Sequence, residues 1–115
     1  MDSERFLPLS PSDLELLLIL TEGERHAYGI ASAAEAQKRK VPLELGSLYR
    51  MLSRLREWGL IAEDPTPRPS PSGPRRKVYR ITPLGREVAS AEVRRLREVV
   101  GWAERRLGLE GGRTP

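Results

Sequence analysis

The sequence predicts a mostly helical fold with a small β-hairpin wing: a winged helix-turn-helix followed by one long C-terminal helix. Three stretches carry that expectation. The first is Glu44 to Trp58. At ~100° per residue, Leu48, Met51, Leu52, Leu55 and Trp58 fall on one side of a helix. Gly46, Ser47, Arg50, Ser53, Arg54 and Glu57 fall on the other, with Tyr49 and Arg56 together on one border. Gly59 follows as a helix-ending glycine. The second is a pair of strand-like stretches, L-I-A-E-D after Gly59 and R-R-K-V-Y-R-I-T from Arg75. The third is the 4-3-4-3-4 spacing of Ala89, Val93, Leu96, Val100, Ala103 and Leu107, a heptad-like seam with Val99 beside it.

The bulk numbers narrow the class. A chain of 115 residues, 38% apolar and 31% charged, makes one domain with a modest core. It contains no cysteine, which removes disulfides and cysteine metal sites. The start, M-D-S-E-R-F, has no apolar signal region, and no apolar run reaches membrane length. A cytoplasmic protein with no membrane partner is therefore expected. The net charge of +4 favours polyanions only weakly.

In chain order, residues 1–9 read as an N-terminal arm. Ser10-Pro11-Ser12-Asp13 starts a helix, with Ser10 as cap, proline in the first turn and Asp13 closing a capping box. The next residues, L-E-L-L-L-I-L, are apolar nearly all round. A helix apolar on every side is buried on every side, so Leu14, Leu17 and Leu18 are expected to meet a partner subunit as well as the core. His26 to Lys40 reads as a second helix, with Tyr28, Ile30, Ala33 and Ala34 as a small packing face. Its basic end, Gln37 to Lys40, suits the helix dipole, or Lys38 contacts phosphate. Val41-Pro42-Leu43 breaks that helix. Helix, short break and basic amphipathic helix is helix-turn-helix spacing.

Pro65 to Pro74 holds five prolines and no large apolar residue. It is expected to stay out of any ladder and form a long exposed hairpin loop. Arg68 lies near its tip, and Arg75, Arg76 and Lys77 at its base. In the second strand Tyr79 and Ile81 share one face, and Val78 and Arg80 the other. The winged helix-turn-helix is thus placed at 10–82. Thr82-Pro83 opens the last helix, placed at 83–107. About 25 residues at ~1.5 Å each give roughly 37 Å. A winged helix cannot cover that length, so the seam needs a second chain, giving a homodimer through Val93, Leu96, Val100, Ala103 and Leu107. Residues 108–115 read as a tail.

Two blocks then resemble a known family. G-S-L-Y-R-x-L-x-R-L-x-x-x-G-L-I (Gly46 to Ile61) and R-x-x-Y-x-I-T-x-x-G (Arg76 to Gly85) are similar to the PadR-type transcriptional regulators. H-A-Y-G-I (His26 to Ile30) is similar to that family's motif opening the second helix. The resemblance covers residues 10 to 107 and the short subgroup with a single C-terminal helix. It implies a homodimeric winged-helix protein that binds operator DNA, usually as a repressor. It also implies, as in some members, a small aromatic effector held between C-terminal helices.

The residues themselves offer little enzyme chemistry. His26 is the only histidine and sits at a helix start, where a surface or capping role is the plain reading. No phosphate-binding loop, dinucleotide fingerprint or nucleophile elbow occurs, and no metal or cofactor is expected. Double-stranded DNA suits the basic face better, because arginine can fork to guanine O6 and N7 while lysine or arginine neutralises phosphate. Arg50 and Arg54 are the candidates for the groove, with Ser47 and Tyr49 at the leading end. Tyr49 reads equally well as a core edge. The rival is a winged helix used only for protein contact, in which Arg50 and Arg54 would bind an acidic partner. Trp102 lies beside the seam and reads either as a packing anchor or as a stacking wall for the effector.

Overall fold

The computed structural model describes residues 3–36, 45–70 and 73–109, with backbone alone at 45, 65–70 and 73–76. A 3₁₀ turn, Ser3–Phe6, precedes α1 (Pro11–Leu20), α2 (Ala27–Ala36) and α3 (Leu45–Glu57). The hairpin strands β1 (Ile61–Ser70) and β2 (Gly73–Ile81) follow, then α4 (Pro83–Leu107). The winged-helix expectation holds. The basic stretch Gln37 to Lys40, the break at Val41-Pro42-Leu43 and Glu44 lie outside the described residues.

Helix α1 starts as expected on one side only. The Ser10 hydroxyl accepts the Asp13 N–H at 3.0 Å, with Pro11 in the first turn. Asp13 does not close the box. Its carboxylate turns away from the cap and takes Arg54 of α3 at 2.6 Å. A salt bridge to α3 takes the place of the local bond, and Asp13 is buried there.

In α2 the buried positions are Ala27, Ile30 and Ala34, an i, i+3, i+7 stripe. Tyr28 is one position, ~100°, off that stripe and is exposed rather than packed. The helix starts at Ala27, and the His26 carbonyl takes its first hydrogen bond, from Ile30 N–H at 3.0 Å.

Helix α3 buries Leu48, Met51, Leu52 and Leu55 as its spacing demands. Trp58 does not join them. The helix stops at Glu57, and Gly59, at φ +79°, reverses the chain. Gly59 N–H bonds to Arg56 O and Leu60 N–H to Leu55 O, each at 3.0 Å, the paired bonds of a Schellman cap. The Trp58 ring is therefore left at the rim, tilted against Phe6 at 5.8 Å and with the Arg54 guanidinium 5.5 Å from its centre.

The hairpin corrects the reading of the proline-rich stretch. The antiparallel ladder starts at Ile61↔Ile81 and continues past Asp64↔Val78 to Arg68↔Arg76 and Ser70↔Gly73, with irregular steps between. The prolines were expected to stop it. Pro65, Pro67 and Pro69 instead alternate along β1, and the residues that pair with β2 are the non-prolines Arg68 and Ser70. In a two-stranded sheet each strand has an open edge, where a missing N–H costs nothing. The other edge of β2 is partly covered: Tyr79 exchanges backbone bonds with Arg25 at 2.9 and 3.0 Å. Val78 and Tyr79 are both buried, so the two faces of β2 are less unequal than strict alternation suggests.

Thr82 fastens the hairpin to α4. Its hydroxyl donates to Gly59 O at 2.6 Å and accepts Gly85 N–H at 3.0 Å. Gly85 is needed because a Cβ there would collide with the Leu60 carbonyl oxygen and lie 2.8 Å from Ile81 Cγ1. Gly85, Val88, Ala89, Ala91 and Glu92 are buried, so the first turns of α4 belong to the same core as α1 to α3. Glu92 accepts the Leu9 N–H at 3.2 Å and a fork from Arg95 at 2.6 and 2.9 Å, which ties the N-terminal arm to α4. Beyond Glu92 no described residue of the helix is fully buried: Val93, Leu96 and Ala103 are half-buried, and Val99, Val100, Trp102 and Leu107 are exposed. The radius of gyration is 16.3 Å, against about 13 Å for a compact chain of this length. Among the described residues, no helix is long and apolar enough to cross a membrane.

Candidate nucleic-acid interface

The outer face of α3 carries most of the candidate groove residues. Gly46, Tyr49, Arg50, Ser53 and Arg56 are exposed, and Ser47 is half-buried. Arg50 makes one local bond, its Nη2 donating to Ser47 Oγ at 3.3 Å. Arg54, four residues on, is placed differently. Its side chain is 40% exposed, and it is committed to an Asp13 carboxylate that is only 6% exposed. The helical wheel puts Arg50 and Arg54 on one face; the neighbouring helix divides them. A buried carboxylate without a cation would be costly, so Arg54 is held to its own protein.

The base of the hairpin lies against α3. Glu63 of β1 accepts Arg56 of α3 at 2.7 Å and Lys77 of β2 at 3.2 Å. Lys77 is exposed, and its carbonyl lies 3.2 Å from His26 Nδ1, so the lone histidine serves the hairpin base. Tyr28, Tyr49, Lys77 and Tyr79 line a 180 Å³ hollow between α2, α3 and β2. Burial, followed by the Glu63 charge, pushes the Tyr79 phenol up, so it keeps its proton. Of the other candidates, Lys38 lies outside the described residues, as do the side chains of Arg68, Arg75 and Arg76. The backbones of Arg68 and Arg76 are ladder partners.

A second face runs along α1 and α4. Leu18 is 42% exposed, Val100 52% and Leu107 70%. Val93, Leu96 and Ala103 are half-buried. A 410 Å³ groove between the two helices is lined by Leu18, Thr21, Arg86, Ala89, Ser90 and Val93, with Arg94 and Arg97 also at its wall. Leu17 does not reach this face. It is fully buried in the chain's own core, with Leu14 packed at its edge, because an all-apolar helix in a small domain spends most of its circumference inside. Ala89 is also interior, so the free part of the seam starts at Val93. Trp102 is exposed, with the Arg106 guanidinium 5.5 Å from its ring.

The sequence profile of the PadR-like transcriptional regulators matches residues 16–91, from α1 into α4. The chain belongs to the PadR-like family. Its fold is shared with a PadR family transcription regulator from Clostridium difficile, at 25% identity and a TM-score of 0.68 over 83% of this chain and 96% of that one. A PadR-like regulator from Bacillus cereus superposes with a TM-score of 0.68 at 24% identity, covering 92% and 95%. Bacillus subtilis PadR, solved in complex with operator DNA, gives a TM-score of 0.64 at 21% identity over 75% of this chain and 48% of that one. None of the curated proteins compared with it matches this chain.

Sequence reasoning on this PadR-like chain missed Arg56, Glu63 and the Asp13–Arg54 pair. Glu63 carried a weak signal, an acid inside a basic wing. Asp13 carried none, because it stood in a cap motif that explained it fully.

Proposed function

We propose that this PadR-like regulator is a sequence-specific DNA-binding repressor that acts as a homodimer on a pseudo-palindromic operator. The observation that supports this most is the exposed Tyr49–Arg50–Ser53 face of α3, with Ser47 half-buried at its leading end, beside a hairpin whose base presents Lys77. In this reading α3 enters the major groove, Arg50 reads a base edge, and Tyr49 contacts the phosphate backbone beside it. Arg68, Arg75, Arg76 and Lys77 neutralise phosphate along the wing, and Lys38 does so from the end of the second helix. Arg54 serves mainly to fix α3 on α1, with its exposed part free to approach phosphate.

Two α4 helices pair through Val93, Leu96, Val100, Ala103 and Leu107, and Leu18 of α1 joins them. Such a pair would set the two α3 helices about one helical turn of DNA apart, roughly 34–36 Å. An aromatic effector, where one acts, would stack on Trp102 between the subunits. It would alter DNA affinity only by preferring one dimer geometry.

Selection of bound duplexes from a random pool tests the reading, followed by a salt series on the winner. Sequence-selective binding with a steep negative salt slope is expected. Arg50→Ala should cost roughly 1–3 kcal/mol and relax preference at one base position, whereas Arg76→Ala should weaken all duplexes alike and flatten the slope by about 0.9. Selection that returns no preferred duplex would sink the reading. It would favour a protein-contact module with an acidic partner for Arg50.

A further inference from the structure

We propose that Glu63 is a positioning residue for DNA binding: it holds Arg56 of α3 and Lys77 of β2 as a paired cation site for one backbone phosphate, so that recognition helix and wing meet the duplex as one unit. The inference rests on the DNA-binding reading above. A carboxylate on that surface is otherwise hard to explain, because it repels phosphate. Glu63 is not a stray surface acid. Its side chain is only 14% exposed, and its two oxygens divide between two elements, Oε1 to Arg56 and Oε2 to Lys77.

The geometry suits a shared phosphate. Arg56 is the penultimate residue of α3, and Lys77 lies two residues from Tyr79, the ladder partner of Glu63. One anion between two cations leaves a net positive charge. It also removes the freedom of two long side chains, which a phosphate would otherwise have to order on binding. The Arg56 and Lys77 side chains remain 48% and 61% exposed. Both have N–H groups to spare, since guanidinium carries five and ammonium three. A 340 Å³ hollow beside them is lined also by Tyr49 and Ser53, which add hydroxyls from α3. With a carboxylate only 14% exposed the bridge also contributes to stability, which melting must separate from its effect on geometry.

Charge and position predict opposite signs for the same substitution. Glu63→Gln removes a negative charge from the DNA face. If Glu63 is only a charge, affinity should rise for every duplex. If it positions Arg56 and Lys77, affinity for random duplex should hold or rise while affinity for the preferred duplex falls. The ratio of the two should then narrow by roughly tenfold.

The test is fluorescence anisotropy of the full chain on the selected duplex and on a random duplex of equal length, with thermal melting by circular dichroism alongside. Glu63→Asp keeps the charge but withdraws the carboxylate by one methylene, and it should narrow the ratio as well. It carries the comparison alone should Glu63→Gln fail to fold. The proposal is overturned by parallel gains on both duplexes with Glu63→Asp behaving as wild type. It is equally overturned by an unchanged ratio, or by parallel losses that track a lowered melting temperature. A wild-type protein without duplex preference marks the failure of the DNA reading instead.

Discussion

Removing Arg54 should cost more stability than removing Asp13, although both delete the same salt bridge. The pair is short, 2.6 Å, and unequally buried, with the Asp13 side chain 6% exposed and Arg54 40%. Arg54→Ala leaves a carboxylate in the interior with no cation. It also removes the guanidinium over Trp58, at 5.5 Å. A fully buried pair broken this way costs 3–5 kcal/mol and an exposed one about 0–1 kcal/mol. Half-exposure of one partner places Arg54→Ala at roughly 2–3 kcal/mol. Asp13→Ala leaves an arginine that can turn to water, and should cost about 1 kcal/mol. With unfolding entropy near ~2.1 cal/mol/K per residue, 1 kcal/mol shifts the melting point of such a domain by about 4 °C. The two variants should therefore melt several degrees apart. Urea unfolding of both single variants and the double variant, at one fixed protein concentration, measures the costs and the coupling between them. Equal costs for the two single variants, or a coupling near zero, would refute the view that burial of Asp13 decides the outcome.

Other outcomes follow from the same geometry. Gly85→Ala must push α4 away from the Leu60 carbonyl, and should cost roughly 1–3 kcal/mol in urea unfolding. The Arg95 fork beside Glu92, opposed by burial and helped by the Leu9 N–H, holds the Glu92 carboxyl below the usual carboxylate range. A depressed carboxyl stabilises the fold above its unfolded pKa and loses that contribution as pH falls through the lower folded value. Stability should thus drop below about pH 4.5, the ordinary value for this group, and Glu92→Gln should remove that part of the acid dependence. For assembly, the proposed pairing of α4 predicts a wild-type dimer and a Val100→Asp monomer by sedimentation at micromolar concentration; a full-length wild type already monomeric there would discard the pairing. For the effector, planar aromatic compounds titrated against Trp58→Phe should quench Trp102 and change DNA affinity together. Quenching without a change in affinity, or none at all, returns Trp102 to a packing role.

The sequence by itself determined the elements whose causes are local. Ser10-Pro11 and Thr82-Pro83 start their helices because a cap and a proline act within one turn. Gly59 ends α3 because its left-handed backbone favours glycine. Leu48, Met51, Leu52 and Leu55 are buried because their spacing leaves them no other side. The family was legible for the same reason, since its motifs are runs of such local requirements. Tertiary structure decided what depends on neighbours distant in sequence. Asp13 looks like a capping residue until α3 brings Arg54 to it from 41 positions away. Prolines that should break a strand are tolerated because the ladder pairs the residues between them. Arg50 and Arg54 share one face by periodicity, yet Arg50 bonds within its own helix to Ser47 while Arg54 is committed to the buried Asp13 of α1. Periodicity fixes the direction of a side chain around its own axis, and the charges it meets there are set by the other elements.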